Sequence, residues 1–499
     1  MAKSPNTLLQ IPSEDAFPSS TRIPSIYNPL DTFALPKGDQ KHYTQQFADL
    51  YFLRLALLKP DIEKIAEEAW KNFELGGERA APVERVLDVR QGELCWMVGT
   101  VYMEMSLKPN VLDDISKEHW IVAPPTREKY ISSTGGDRIY LEDESGRLAL
   151  TGEHLKKHLL VTGCIIATMG TENAQGEFEV VDVKVADLPR QPDRWESYDS
   201  AAILRGEKVN KKSRPKSGKV ALVSGLEFKG DGSDSILLDL LTEYLLGETG
   251  TDDEPAQISR LIIAGNSLSH SAPIESREEH AARPLAKRFG HDTIAYNPVP
   301  STALDLFLAQ LLPSLPITIL PGDSDPSSIA IPQQPLHPAL FPHSRSYANI
   351  LTQEGGEPSW FHSVTNPWEG DIDGLRFLGN GGQPINDMYK YVKGSNRLRM
   401  MEHLLRWRNN APTAPDTLWT FPFQDNDPFI MRDCPHVFFA GNQPRFATST
   451  IEGPVGQQVR LIAVPNFKET SSMVLLDIET MEVECVKFRV LEKKMTNGN

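Results

Sequence analysis

The pattern of apolar and polar positions divides the chain into segments of different character. Residues 1–38 are rich in Pro, Ser, Thr and Asp and show no sustained period, which predicts an extended arm or a disordered lead-in. Within residues 43–70 the apolar positions step by four and three, the spacing of an amphipathic helix. Because Pro60 lacks a backbone N–H, we expect it to divide this stretch into two helices.

Five short segments with apolar positions on alternate residues follow. The first places Met97, Val101 and Met103 on one face, and the turn 143–146 joins the second segment to the third as a hairpin. The five predicted strands are 95–105, 139–142, 147–150, 159–169 and 177–187. Five short strands in succession suit a small closed barrel, and the OB fold is the commonest five-stranded candidate.

After residue 219 the predicted strands become apolar on both faces and stop at glycine. They are 220–225, 261–265, 317–322 and 437–441, with further strands expected at 459–464 and within 473–490. Helical patterns lie between them at 235–246, 302–312 and 398–408. Strands that are apolar on both faces imply a sheet covered on both sides, hence an α/β domain.

These patterns give the domain organisation. We predict an arm at 1–38, helices with an OB-fold domain at 39–190, a linker at 191–218, an α/β domain at 219–490 and a tail at 491–499. The basic stretch 205–219 carries the cluster Lys211, Lys212, Arg214 and Lys216. A nuclear import signal and a solvated basic loop both fit this cluster.

Composition and charge narrow the class of protein. The 499 residues are 40% hydrophobic, which is a globular composition, and the length implies two or three cores. No stretch has the apolar length of a membrane span, and the first residues lack the pattern of a secretion signal, so we expect a soluble, unsecreted protein. The four cysteines form no C-x-x-C pair, so neither a disulfide framework nor a zinc or iron-sulfur site is predicted. A net charge of −16 opposes tight binding to phosphate backbones.

Candidate chemistry lies in the loops that follow the apolar strands, because open α/β sheets bind ligands at the carboxyl ends of their strands. The loops are 224–226, 265–266, 322–325 and 441–444. Their order resembles the calcineurin-like metallophosphoesterases, which carry D-x-H, G-D, G-N-H-D/E and G-H-x-H there and hold two metal ions that activate water. The resemblance implies a two-layer sheet sandwich flanked by helices.

The metal ligands of that family are almost entirely replaced in this sequence. The positions concerned are Ser224, Leu226, Asn266, Asp323, Ser324, Asn442 and Pro444. Only Asp325 keeps a carboxylate in place, and one carboxylate cannot organise two metal ions. We therefore expect an inactive phosphoesterase domain with no catalytic residue, no metal and no cofactor. The aspartates of the third loop are interpreted as turn residues that cap neighbouring backbone amides.

An OB barrel followed by an inactive phosphoesterase resembles the B-subunits of eukaryotic replicative DNA polymerases, the delta class in particular. The segments that carry this resemblance are 45–48, 161–163, 261–271, 320–326, 332–338, 414–417, 427–429 and 434–442. Residues 274–300 and 353–361 and the tail after Val490 look like additions of unassigned role.

What this resemblance implies is a non-catalytic scaffold subunit in the nucleus, serving DNA replication, repair and translesion synthesis. It would hold the cysteine-rich C-terminal domain of the catalytic subunit of DNA polymerase delta and dock a third subunit. Contact with the sliding clamp would be mainly indirect, contact with DNA weak or indirect, and contact with a membrane absent.

Two other functions stay open at the level of sequence. One is an active metallophosphoesterase with an atypical site. The other is a single-stranded-DNA-binding OB protein, for which Trp96 and Tyr102 on one face of the first strand are the candidate stacking residues. Acidic residues on the other strands and turns oppose DNA binding: Glu142, Asp143, Glu144, Glu177 and Glu179. His270, His337 and His436 stand apart from other ligand types and are interpreted as structural. The glycine-rich stretch 377–384 lacks a P-loop ending and predicts a tight loop.

Overall fold

A computed structural model of the chain describes most of both predicted domains. The described residues are 21–36, 46–109, 127–132, 135–204, 214, 216–230, 235–248, 254–269, 297–348 and 360–490. Several predictions fall outside them: Lys211 and Lys212 of the basic cluster, His270, most of 274–300 and 353–361, and the tail 491–499.

The N-terminal part contributes strand β1 (Tyr27–Leu30) and helix α1 (Phe47–Trp70). The prediction that Pro60 divides the helix in two is wrong, because α1 runs through it without a break. Pro60 lies on the exposed side, where the carbonyl that loses its partner can bond to water. Leu58 and Ile62 are buried on the opposite side and hold both halves of the helix against the barrel.

The next strands form the barrel. A small hairpin, β2 (Glu74–Leu75) and β3 (Glu78–Arg79), leads into β4 (Ala81–Pro82), β5 (Cys95–Glu104), β6 (Arg138–Glu142), β7 (Arg147–Thr151), β8 (Ile165–Glu172) and β9 (Glu177–Lys184). The strand order is β4-β5-β6-β7-β9-β8, and an additional pairing of β5 with β8 closes the sheet. The OB fold is thus confirmed, although the fourth predicted strand starts at Ile165 rather than at residue 159.

Helix α2 (Glu196–Leu204) lies within the predicted linker. The remaining strands are β10 (Lys219–Val223), β11 (Ile258–Ala264), β12 (Ile317–Leu320), β13 (Phe361–Ser363), β14 (Trp368–Ile372), β15 (Leu375–Asn380), β16 (Val437–Gln443), β17 (Ala447–Glu452), β18 (Gln458–Pro465), β19 (Ser472–Asp477) and β20 (Val483–Lys487). The helices among them are α3 (Ser235–Leu246), α4 (Glu254–Gln257), α5 (Val299–Leu311), α6 (Gln383–Tyr391), α7 (Arg397–Arg406) and α8 (Phe467–Thr470).

These strands form two six-stranded sheets within the described residues. The first has the order β13-β12-β11-β10-β19-β20 and the second β1-β14-β15-β16-β18-β17. Buried side chains such as Leu222, Ile262, Phe439 and Ile462 share one core cluster between the sheets. Helices α3 and α5 cover the other face of the first sheet, and α6 and α7 cover that of the second. The predicted layering of helices on apolar strands is confirmed, whereas the pairing of β1 with β14 was not foreseen.

The two domains are joined by a continuous apolar core. One cluster of buried side chains includes Val101 and Leu141 of the barrel together with Met401 and Phe438 of the second domain. Such an apolar junction holds domains in one arrangement, whereas small polar interfaces permit motion. Among the described helices, none combines the length and the apolar character that crossing a membrane requires.

A buried ion pair links α1 across the same junction. The Arg54 Nε atom donates to the Asp427 carboxylate at 2.5 Å, and these side chains are 3% and 0% exposed. The Arg54 guanidinium also donates to the carbonyl oxygens of Ala411, at 3.2 Å, and Ala414. These contacts fix the long segment after α7 against the helix.

Candidate functional site

The predicted loops do converge at one edge of the sandwich. Strands β10, β11 and β12 are mutually parallel neighbours, as are β15, β16 and β18 in the facing sheet. Their carboxyl ends therefore meet, and polar residues in the loops contact one another across the gap between the sheets.

Ser224 and Asn442, from the first and fourth predicted loops, form one such contact. The backbone N–H of Asn442 donates to Ser224 Oγ at 2.8 Å, and Ser224 Oγ donates to the Pro465 carbonyl at 3.1 Å. The Asn442 amide nitrogen donates to the Gly381 carbonyl at 2.8 Å. The hydroxyl of Ser224 is fully buried and already both accepts and donates a hydrogen bond.

The second and third predicted loops meet through Asn266 and Ser324. The backbone N–H of Ser324 donates to Asn266 Oδ1 at 3.4 Å, and Ser324 Oγ donates to the Leu268 carbonyl at 2.6 Å. These polar side-chain atoms therefore bind the neighbouring loop.

Asp325, the one retained carboxylate, is buried and accepts hydrogen bonds from backbone amides. Its Oδ1 atom accepts from the Leu268 N–H at 2.8 Å, and Oδ2 accepts from the N–H groups of Gly322 at 2.8 Å and Ser267 at 3.2 Å. Burial raises the pKa of Asp325 to about 6, and the backbone donors work in the opposite direction. The interpretation of this loop as a turn with a capping aspartate is confirmed for Asp325.

The other predicted positions do not join this network. Leu226 is buried in the apolar core on the outer side of the first sheet. Asp323 and Pro444 are exposed to solvent. The structure thus brings together Ser224, Asn266, Ser324, Asp325 and Asn442, and leaves the remaining three apart.

A fifth loop and a group of amide side chains also belong to this site, and the sequence patterns did not predict them. Asn366 Oδ1 accepts from the Gly381 N–H at 2.9 Å, and Asn366 Nδ2 donates to Gln333 Oε1 at 2.8 Å and to Gln383 Oε1 at 2.9 Å. Gln333 Nε2 donates to the Gly322 carbonyl at 3.0 Å, which connects this group to the third loop. The prediction of a tight loop over 377–384 is wrong for most of its residues, because 377–380 are the end of β15 and Gln383 begins α6. The signal for β15 is present in the sequence, since this mainly apolar strand stops at glycine like the other four.

The donor set does not fit a two-metal centre. Three buried oxygens at these loops have no hydrogen-bond partner among the described residues: Ser267 Oγ, Asn442 Oδ1 and Gln443 Oε1. All three are neutral, whereas divalent metal pairs at phosphoesterase-type sites take carboxylates and imidazoles. Within the described residues, no group of three or more His, Cys, Asp or Glu side chains is placed to hold a metal ion.

The histidines that sequence analysis set aside have structural partners where they are described. His337 Nδ1 accepts from the Ala339 N–H at 3.2 Å at the start of a short 3-10 turn. His436 Nδ1 accepts from the Arg376 N–H at 2.9 Å, and burial lowers the pKa of His436 to about 4.

The two candidate stacking residues of the barrel are in different surroundings. Trp96 is buried beneath α1 with its ring 5.8 Å from that of Trp70, so it offers no free face to a base. Tyr102 is half-buried, and two cations already lie over its ring. The Lys108 ammonium is 4.4 Å and the Arg147 guanidinium carbon 5.0 Å from the ring centroid. The candidate pair of stacking residues is therefore not available on this face.

Two family models match this chain. A model described as the DNA polymerase delta subunit OB-fold domain matches residues 46–183, and one described as the B-subunit of DNA polymerase alpha/epsilon matches residues 220–448. The matched regions coincide with the barrel and with most of the sheet sandwich.

Relatives from three kingdoms align over nearly the whole chain. The DNA polymerase delta small subunit of Arabidopsis thaliana is 36% identical over 471 residues, covering 94% of this chain and 96% of the relative. That of Saccharomyces cerevisiae is 34% identical over 495 residues, covering 93% and 94%. DNA polymerase delta subunit 2 of Drosophila melanogaster is 33% identical over 474 residues, covering 94% and 99%. These findings confirm the resemblance identified from the sequence motifs: the chain belongs to the family of DNA polymerase delta small subunits.

Proposed function

We propose that this chain is a non-catalytic accessory subunit of DNA polymerase delta, acting as a scaffold in DNA replication. The observation that carries the proposal is the use of the phosphoesterase-like loops for internal hydrogen bonding. Ser224, Asn266 and Asp325 direct their polar atoms at neighbouring backbone groups, and Asn442 donates to two neighbouring loops. Side chains with these partners hold the loops in place and present no nucleophile or anionic ligand set to a phosphoryl group.

The rigid union of barrel and sandwich supports the scaffold role. Surfaces that are already fixed before binding lose less conformational entropy when partners dock, so affinity rises. The shared apolar core and the buried Arg54–Asp427 pair provide such fixation.

The partners of the scaffold belong to the same proposal. We expect the chain to hold the cysteine-rich C-terminal domain of the catalytic subunit and a third subunit, with sliding-clamp contact mainly through those partners. DNA contact is weak or indirect, which agrees with the net charge of −16. We further propose a nuclear location and roles in repair and translesion synthesis.

Metal content and hydrolysis test the absence of catalysis. The purified chain, incubated with Mn²⁺ and then desalted, should retain no stoichiometric metal and should not cleave a phosphodiester such as bis-p-nitrophenyl phosphate above the buffer rate. Asp323→Asn, at an exposed position, serves as a matched control for a buried Asp325→Asn change. Stoichiometric metal with turnover that only Asp325→Asn abolishes would establish an active metallophosphoesterase instead.

A further inference from the structure

The surface around the start of α7 is basic, although the whole chain carries a net charge of −16. Residues 388–401 contain no Asp or Glu but four cations: Lys390, Lys393, Arg397 and Arg399. Two other segments, 127–130 and 154–158, contact this stretch. Together the three segments hold eight Lys or Arg side chains and a single carboxylate, Glu128. Such a concentration of positive charge indicates an anionic ligand.

Segment 127–130 is fixed to the end of α6. The Lys129 ammonium donates to the carbonyls of Tyr389 and Val392, both at 2.7 Å. The same ammonium and the Arg397 guanidinium lie over the Tyr389 ring, 3.1 and 3.9 Å from its centroid. Burial lowers the pKa of Lys129, and the Arg397 charge acts in the same direction. The fold thus holds like charges close together at this place.

Segment 154–158 borders α7 at Arg399, whose guanidinium donates to the Lys157 carbonyl at 3.5 Å. The side chains of Lys157, Lys393 and Arg399 are exposed. Within the part of the chain that the structure describes, none of these three forms an ion pair with a carboxylate. We name the surface formed by Lys157, Lys393, Arg397 and Arg399 the α7 basic surface.

The carboxylates near this surface neutralise little of its charge. Most of them have cationic partners of their own: Glu153 with Lys156, Asp182 with Lys184, Asp387 with Lys390, and Glu402 with Arg406. Glu128 accepts the Tyr389 hydroxyl at 3.0 Å and offsets one positive charge. The exposed cations of the α7 basic surface therefore keep a net positive charge.

The side chains exposed here favour nucleic acid over protein as the ligand. The described residues of the three segments include no exposed large apolar side chain, whereas the centre of a protein interface is apolar and depleted in charge. Nucleic-acid interfaces are polar and strongly basic. Tyr130 and Tyr391 are buried and the Tyr389 ring is covered by two cations, so none of the three can stack on the bases of a single strand.

We propose that the α7 basic surface binds the phosphate backbone of duplex DNA without reading its sequence. Phosphate contacts position a protein on the duplex and carry no sequence information. The inference rests on the proposed function, because a subunit of a DNA polymerase works beside duplex DNA, and it adds a direct contact to that function. The net charge of −16 keeps the contact weak in the isolated chain, with a Kd of about 1 μM or higher. Within the assembled complex the other subunits raise the effective concentration of DNA at this surface.

Binding of a fluorescein-labelled DNA duplex to the full-length chain, followed by anisotropy, tests this inference. The test variant combines Lys393→Gln with Arg399→Gln. The matched control combines Lys64→Gln with Lys71→Gln, which are exposed positions in and just after α1. Loss of two phosphate contacts should lower the affinity at least about tenfold at about 0.1 M salt and reduce the slope of log K against log salt by about 2. The control has the same net charge as the test variant and should bind DNA as the wild type does.

A charge-preserving variant separates charge from folding. Lys393→Arg combined with Arg399→Lys should keep the wild-type salt slope, because each cation still releases a counterion when it meets a phosphate. Unfolding midpoints of all variants should match that of the wild type, because the changed side chains face solvent. Duplexes of different sequence should bind with equal affinity.

The outcomes distinguish this inference from the proposed function. If the wild-type chain does not assemble with the other subunits, the proposed function fails, whatever the chain does with DNA. If it assembles but binds no duplex at low salt, or if the Lys393/Arg399 glutamine variant binds duplex as tightly as the wild type, the α7 basic surface is refuted while the scaffold stands. A glutamine variant that loses affinity for another subunit and keeps its DNA binding would identify an acidic protein surface as the ligand and overturn the inference. Tighter binding of single-stranded than of duplex DNA, lost in the same variant, would also overturn it.

Discussion

Removing the Asp427 carboxylate should destabilise the junction between the domains strongly. In Asp427→Leu the Arg54 guanidinium stays buried with only the carbonyls of Ala411 and Ala414 as partners, and among the described residues its Nη2 atom has no partner even before the change. Breaking a buried ion pair from one side costs about 3–5 kcal/mol, because a buried charge is left without compensation. Asp427 also accepts the Phe429 N–H at 2.9 Å, and the loss of that bond acts in the same direction.

A double-mutant cycle in urea measures this effect. The variants are Arg54→Leu, Asp427→Leu and the pair together, with unfolding followed by tryptophan fluorescence. The double variant should recover most of the loss, since an apolar pair of similar volume is often neutral at a buried site. Glu74→Ala is the control, because its ion pair with Arg79 has side chains 50% and 77% exposed and should contribute about 0–1 kcal/mol. The free energy of unfolding of Glu74→Ala should lie within about 1 kcal/mol of the wild-type value. If that of Asp427→Leu does so as well, the Arg54–Asp427 pair does not hold the junction together.

Two further substitutions test other parts of the structure. Gly163 has φ +88°, and a Cβ there would lie 1.9 Å from the Pro412 carbonyl of the other domain, so Gly163→Ala should cost about 2–5 kcal/mol in urea unfolding. Gly92→Ala is the control, because Gly92 has φ +80° and open space around it, and it should cost only about 1–2 kcal/mol. Equal losses of stability in the two variants would exclude a tight junction at Gly163. A second test concerns pH: the pKa of His436 is lowered to about 4 from 6.5, so the unfolded chain binds more protons than the folded one between these values. The free energy of unfolding should therefore fall by about 3 kcal/mol as the pH is lowered from 6.5 to 4. His436→Gln should remove this part of the pH dependence of stability. A His436 imidazole that titrates near pH 6.5 by NMR would contradict the lowered pKa.

The sequence predicts elements well where local pattern and burial agree. Helix α3 has the predicted ends, and the strands that stop at glycine lie where the apolar runs place them, because such runs need cover on both faces. The predicted break at Pro60 is wrong because helix propensity describes only the local cost of a proline. Leu58 and Ile62, on either side of Pro60, are buried on the same surface, so packing holds both halves of the helix in place.

Features that depend on distant partners could not be predicted from the sequence. The pairing of Tyr27–Leu30 with Trp368–Ile372 joins strands more than 300 residues apart, and no local signal distinguishes it from an irregular arm. At the candidate site the absence of metal-ligand residue types was visible in the sequence, but the amide network of Gln333, Asn366 and Gln383 was not. Asn and Gln carry no motif of their own, and only the convergence of the loops shows what they bind.

Assembly with the other subunits of DNA polymerase delta is the decisive property of a scaffold subunit. The chain should be co-expressed with the catalytic and third subunits of DNA polymerase delta from the same organism, purified through a tag on this chain, and weighed by native mass spectrometry. We expect one complex that contains all three subunits and has polymerase activity, together with a loss of soluble catalytic subunit when this chain is omitted. A catalytic subunit that stays soluble and active alone, and never co-elutes with this chain, would contradict it.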